Sequence, residues 1–250
     1  MNSEKAKTIV RDAIQRREET DTRISGIWIL VAIFGPIVAI VFFIITFVLL
    51  FMPNFQTVPP IPPHLWILGP LAILVAGVLT GVIIIAILLF KLVERRNEHF
   101  KRSRTLRAGL LNLLEEHEGK TSSRIANLRS IHSDLNASED TKSPGLYAIL
   151  SVLVPFVILY VMYFLTKDIG EHDRRERIFF RNFTDVSDDI GVTVVYPEWK
   201  KAPDRSAGLY VVLTLAIGIF AIYWLWTLIK DPHKHFDSHR ILEDHLSSAM

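Results

Sequence analysis

The stretch KDPHKHFDSHRILEDHL, Lys230 to Leu246, holds four histidines among acids directly after an apolar run. On a helix, His235, His239 and Glu243 recur every fourth residue and share one face, an arrangement that can ligate Zn²⁺. His233 or His245 would be the fourth donor. No His-Glu-x-x-His metalloprotease pattern occurs, and a stable site needs ligands fixed by surrounding groups. No Walker, Rossmann or EF-hand motif and no nucleophile elbow accompanies the histidines. The chain has no cysteine, which excludes disulfides, thiolate metal sites and cysteine nucleophiles. The sequence therefore predicts no enzyme and no cofactor, with the tail read first as a polar coat at a membrane surface and second as a metal site.

The elements around these residues are apolar. Half of the 250 residues are hydrophobic, and many are gathered in four runs, Ile24–Met52, Trp66–Phe90, Leu146–Leu165 and Leu209–Ile229, that contain no Asp, Glu, Lys, Arg or His. Each suffices for the ~20 residues that cross a hydrocarbon core, and inside one the backbone must be helical. The expected fold is an all-α membrane protein with four transmembrane helices. Lys and Arg number six in residues 1–23, none in 53–65, eleven in 91–145, eight in 166–208 and three from 230 onward. Alternate crossings put both termini in the cytoplasm of a multi-pass cell-membrane protein, with the proline-rich 53–65 loop outside. The 166–208 loop, with its eight cations, is the weak point of that topology.

Two segments align without a gap: SPGLYAILSVLVPFVILYVMYFLTKDIGEHDRRERI from Ser143 and SAGLYVVLTLAIGIFAIYWLWTLIKDPHKHFDSHRI from Ser206. They share 12 identities, among them Lys167/Lys230, Asp168/Asp231, His172/His235 and Arg177/Arg240, and read as a duplication. Glu176 and Phe180 stand where His239 and Glu243 stand in the second copy, which argues against a metal role for the tail. A fainter third copy, His99-x4-Arg104, follows the second apolar run. Four alternating crossings would put His172 and His235 on opposite sides of the membrane, as in inverted-repeat transporters. Gly35-Pro36, Pro155 and Gly218 fall where helices could kink or break.

Residues 91–142 read as a cytoplasmic helical hairpin. The second membrane helix continues through Leu106, Leu110, Leu113 and Leu114 to Gly119, and a second helix presents Ile125, Leu128, Ile131 and Leu135. Leu106, Leu110, Leu113, Ile125, Leu128 and Ile131 are the expected surface for a protein partner or self-association. The arm 1–23 offers another amphipathic helix through Ala6, Ile9 or Val10, Ala13 and Ile14. Arg95, Arg96, Lys101, Arg102 and Arg104 crowd the membrane boundary and read first as a solvated face that anchors the inside and second as lipid-headgroup contacts, with no nucleic acid. The domains are thus 1–23, 24–90, 91–142, 143–205 and 206–250.

Gly218–Trp224 followed by Lys230–Phe236 resembles the Gly-Ile-x-x-Ile-Tyr-Trp helix and Lys-Asp-x-x-x-His-Phe segment of an uncharacterised "domain of unknown function" family of small prokaryotic membrane proteins. The resemblance covers only the last run and the start of the tail, and implies a membrane location and no activity. The role expected from the sequence is a non-catalytic scaffold, assembly or regulatory subunit. A small transporter or channel on the duplicated helices is the alternative, and a histidine-dependent metal site comes third.

Overall fold

A computed structural model describes residues 3–51, 63–118, 122–189 and 194–250. Among them every regular element is helical: α1 (Ser3–Gln15), α2 (Arg17–Thr20), α3 (Ile27–Phe51), α4 (Pro63–Glu118), α5 (Ser123–Ser138), α6 (Pro144–Leu153), α7 (Phe156–Asp189), α8 (Ala207–Ala216) and α9 (Phe220–Ala249). The 53–65 loop lies largely outside the described residues. The 194–199 segment carries no strand.

Among the described residues two helices are long and apolar enough to cross a membrane, through Ile27–Val48 of α3 and Leu68–Glu116 of α4. They pack through small residues. A Cβ on Gly81 would lie 2.6 Å from Pro36 Cγ, and Gly77 faces Ala39, so the backbones approach as small-x3-small patterns allow. The 56 residues of α4 make a rod of about 84 Å at 1.5 Å per residue, most of its second half outside the apolar run.

The other two apolar runs do not form the straight helices expected. Tyr147 and Phe164 are 17 positions apart, about 25 Å along one helix, yet their ring centroids are 5.1 Å apart. Tyr210 and Trp224 would be about 21 Å apart and are separated by 5.7 Å. Each run therefore folds back on itself as a helical hairpin. The first turns at Val154, extended as a residue before proline must be, because Pro155 lacks the amide that would continue α6. The second turns at Ile217, with φ −133° and ψ 80°, followed by Gly218. Ser143 and Ser206 cap α6 and α8 alike, accepting from the amides of Leu146 and Leu209. Caps and breaks thus recur at the same spacing as the aligned sequence segments.

Folding back returns α7 and α9 to the side where α4 emerges. There α4, α5, α7, α9 and the arm build a helical body around Leu106, Leu110, Leu114, Ile125, Leu128, Leu135, Phe179, Phe180, Phe183, Leu242 and Leu246. Val10, Ala13 and Ile14 of α1 join it, at a point where a Cβ on Gly109 would meet Val10 at 2.8 Å. The leucine stripes expected to receive a partner are spent on this core. Leu106, Leu110, Ile125 and Leu128 are buried, with Leu113 and Ile131 packed at its edge.

Candidate metal centre

Three helices converge in this body. His99 comes from α4, His172 and Glu176 from α7, and His235 and His239 from α9; one ligand atom from each of the five lies within 4.8 Å of every other. All five residues are at most 3% exposed. The two contributed by α7, and the two by α9, are four apart, so a single helix face delivers each pair.

Every ring is aimed by a carboxylate on its outer nitrogen. His99 Nδ1 lies 2.7 Å from Asp21 Oδ1, His172 Nδ1 2.8 Å from Glu139 Oε1, His235 Nδ1 2.8 Å from Asp173 Oδ1, and His239 Nδ1 3.4 Å from Glu243 Oε1. A carboxylate accepts, so in a neutral ring the proton sits on Nδ1 and the Nε2 lone pair points inward. The Nε2 atoms then crowd one point: His99 Nε2 is 3.2 Å from His172 Nε2 and 3.1 Å from His235 Nε2. Glu176 Oε2 is 2.6 Å from His239 Nε2, 2.9 Å from His172 Nε2 and 3.3 Å from His235 Nε2. Lone pairs at these separations repel unless protons or a cation lie between them. Neighbouring donors bound at ~2.1 Å around one ion sit ~3.0–3.4 Å apart, close to the spacing found here. Carboxylate-oriented histidines are the usual outer layer of a metal site.

A second layer locks the carboxylates. Arg102 pairs with Glu243 and, at 2.7 Å, with Asp21 Oδ2. Arg107 reaches Glu139 Oε2 at 2.6 Å and Glu176 Oε1 at 2.8 Å. Ser103 donates to the same Glu176 oxygen. Glu176 therefore has one oxygen committed outward and one inward. Aromatic rings close the walls: Phe100 stacks on His172 at 4.2 Å, and Trp199 lies edge-on at 5.7 Å from His235 and 5.4 Å from His239. Trp199 Nε1 donates to the Asp173 oxygen that orients His235.

The charge balance calls for a cation. Asp21, Glu139, Asp173, Glu176 and Glu243 face only two fully enclosed cations, Arg102 and Arg107. Partly exposed Arg177, 3.4 Å from Asp173, is a third, and Arg17, 4.0 Å from Glu243, is a fourth, which leaves five carboxylates against four arginines among the described residues. Without a metal, protons fill the gap. Burial lowers the pKa of His239 and His172, but Glu176 outweighs it and raises both, His239 to about 9. Burial likewise raises the Glu176 pKa, and His172 and His239 overcome it to hold this carboxyl well below its ordinary value. Asp21 follows the same pattern, held low against burial by His99 and Arg102.

Of the predicted ligands His235, His239 and Glu243, the first two are in the cluster and Glu243 stands behind His239 as its orienting partner. His233 and His245 lie outside the cluster, His245 against the Val195 carbonyl. Reasoning from sequence missed His99, His172 and Glu176 as ligands. The aligned copies carried the signal: His239 corresponds to Glu176, and both residue types bind metals. The expected separation of His172 and His235 is overturned by their ring contact at 5.1 Å.

Of the cations expected at lipid headgroups, Arg102 serves the centre and Arg104 donates to the Glu139 carbonyl. Arg96 pairs with Asp168 at 2.6 Å, Arg95 donates to the carbonyls of Leu228 and Ile229, and Lys101 stays exposed. The remaining aligned residues do not enter the cluster. Asp231 pairs with Arg205, Lys167 with Glu171 at 3.8 Å, Lys230 lies 5.0 Å from the Trp226 ring, and Arg240 reaches Glu18 at 3.4 Å.

No protein-family description matches the chain, and neither a curated protein nor a solved structure does.

Proposed function

We propose that this protein is a membrane-anchored metalloprotein holding one first-row divalent transition ion on His99, His172, His235, His239 and Glu176. One observation carries the reading: four Nε2 atoms and a carboxylate oxygen face a common point while every Nδ1 is held by a carboxylate. Imidazole and carboxylate donors without sulfur suit iron, zinc, copper or nickel, and five donors exceed the four of a closed zinc site. Iron(II) fits best. Metal analysis of protein loaded with Fe²⁺ tests this, against His172→Ala and His235→Ala. With Glu176 binding through one oxygen, at most one octahedral position remains, and it is enclosed by protein. That favours holding the ion or passing electrons over hydrolysing a bulky substrate.

Two crossings, α3 and α4, supply the anchor. The hairpins α6–α7 and α8–α9 dip into the same leaflet and return. Ten residues of α6 span about 15 Å, half of a ~30 Å core. The tips are apolar and exposed: Leu153 70%, Phe156 75% and Ile219 74%. All 28 Lys and Arg then fall on the cytoplasmic side, which removes the difficulty of the cationic 166–208 loop. The matching caps, breaks and ligand pairs support an origin by duplication. Because the chain has no cysteine, single cysteines at Lys201 and Lys234 test the topology with an impermeant thiol reagent. Labelling from one side supports it, and labelling from opposite sides restores four crossings.

A further inference from the structure

A crevice of about 40 Å³ lies between α4, α7 and α9, walled by Leu92, Leu165 and Leu228 and bounded by Arg95, Arg205 and His99. The space suffices for about three waters or one phosphate-sized group. Its leucines also belong to the apolar cluster of the membrane half, so it sits where that half gives way to the polar body. Two arginines near it are neutralised, Arg96 by Asp168 and Arg205 by Asp231. Arg95 is different. It is 5% exposed, and among the described residues it makes no ion pair. Its Nη2 donates to the Leu228 carbonyl at 2.8 Å and its Nη1 to the Ile229 carbonyl at 3.3 Å. The first carbonyl is free because Pro232, four residues on, has no amide to offer it. Those bonds occupy two of the five guanidinium N–H groups. A neutral amide side chain could also donate to both carbonyls, so they explain a donor at position 95; its buried charge meets no acid, only the Phe236 ring at 5.8 Å. Buried charges are ordinarily paired.

We propose that this crevice binds the phosphate of an anionic lipid, with Arg95 supplying the counter-charge. Entry is from the headgroup level, where the leucine wall receives the first carbons of the acyl chains. The inference is separate from the metal reading, since Arg95 contacts none of the five ligands. Calorimetry on the metal-loaded protein in detergent tests it with dihexanoyl phosphatidic acid, dihexanoylglycerol and inorganic phosphate. The phosphatidic acid is expected to bind and the uncharged glycerolipid not to. Arg95→Gln, which keeps donors for the carbonyls, should weaken binding at least tenfold with metal content unchanged. If that variant fails to fold, Ile169→Trp fills the crevice mouth and leaves Arg95 in place, with the same loss expected. Inorganic phosphate binding as tightly as the lipid would overturn the lipid source and keep the phosphate site. Phosphatidic acid binding no better than dihexanoylglycerol, or unaffected by the folded variant, would overturn the proposal.

Discussion

Asp173 offers the sharpest test of how the centre is built, because it touches the ligand His235 and would not touch the metal. Asp173 Oδ1 holds His235 Nδ1 at 2.8 Å and also accepts from Trp199 Nε1 at 2.8 Å. Asp173→Asn keeps the shape and removes the charge. The amide oxygen can still accept, yet it no longer raises the basicity of the ring, and the new N–H₂ competes for the same space. Loss of such an orienting partner costs about 10–100-fold in metal affinity, or ~1.4–2.7 kcal/mol. The assay is competition with a chromophoric chelator on purified protein, with helicity measured alongside. His233→Ala is the internal control: it changes a tail histidine outside the cluster and should leave affinity unaltered. An affinity for Asp173→Asn within threefold of wild type, with the fold intact, would refute the argument that the carboxylate ring builds the site.

Arg107→Met should be among the most destabilising single changes, because it removes the buried guanidinium that Glu139 and Glu176 share and leaves both carboxylates to the histidines alone; a loss of about 3–5 kcal/mol is expected, read as a lowered melting temperature of the metal-free protein. The metal-free protein should lose stability as pH rises from about 6.5 to about 9. His239, raised to about 9 in the fold, stabilises fully below its unfolded value and ceases to do so above its folded one. Over the same window iron affinity should rise, since the ion displaces those protons; denaturation and chelator titrations at several pH values check both signs. Gly109→Val should force α1 away from α4, given the 2.8 Å approach to Val10, at a cost of ~1–3 kcal/mol, and should expose the arm to limited proteolysis.

Much of the scaffold could be read directly. The long α4, the amphipathic arm and α5 all follow from periodicity. The hairpins could not be read in the same way. Hydropathy registers that Leu146–Leu165 avoids water; it does not register that Pro155 ends α6 and sends the chain back. That one turn sends α7 back towards α4, and with it decides whether the histidines can meet. The site was then hidden by treating Glu176 opposite His239 as a mismatch, although an oxygen donor can fill the place of a nitrogen donor. His99 stood in a segment whose likeness to the other two copies is faint, and only the meeting of α4 with α7 and α9 gives it a role. The buried arginines were misplaced for a related reason: a cationic run reads as a solvated face until its acids arrive from elsewhere in the chain.

The central claim is that this pocket is built for an ion. Protein purified in detergent, loaded with Fe²⁺ and desalted, should retain about one iron per chain, and the His172→Ala/His235→Ala double variant should retain almost none. Wild-type protein that keeps no stoichiometric iron, zinc, copper, nickel or manganese after the same treatment would contradict the account.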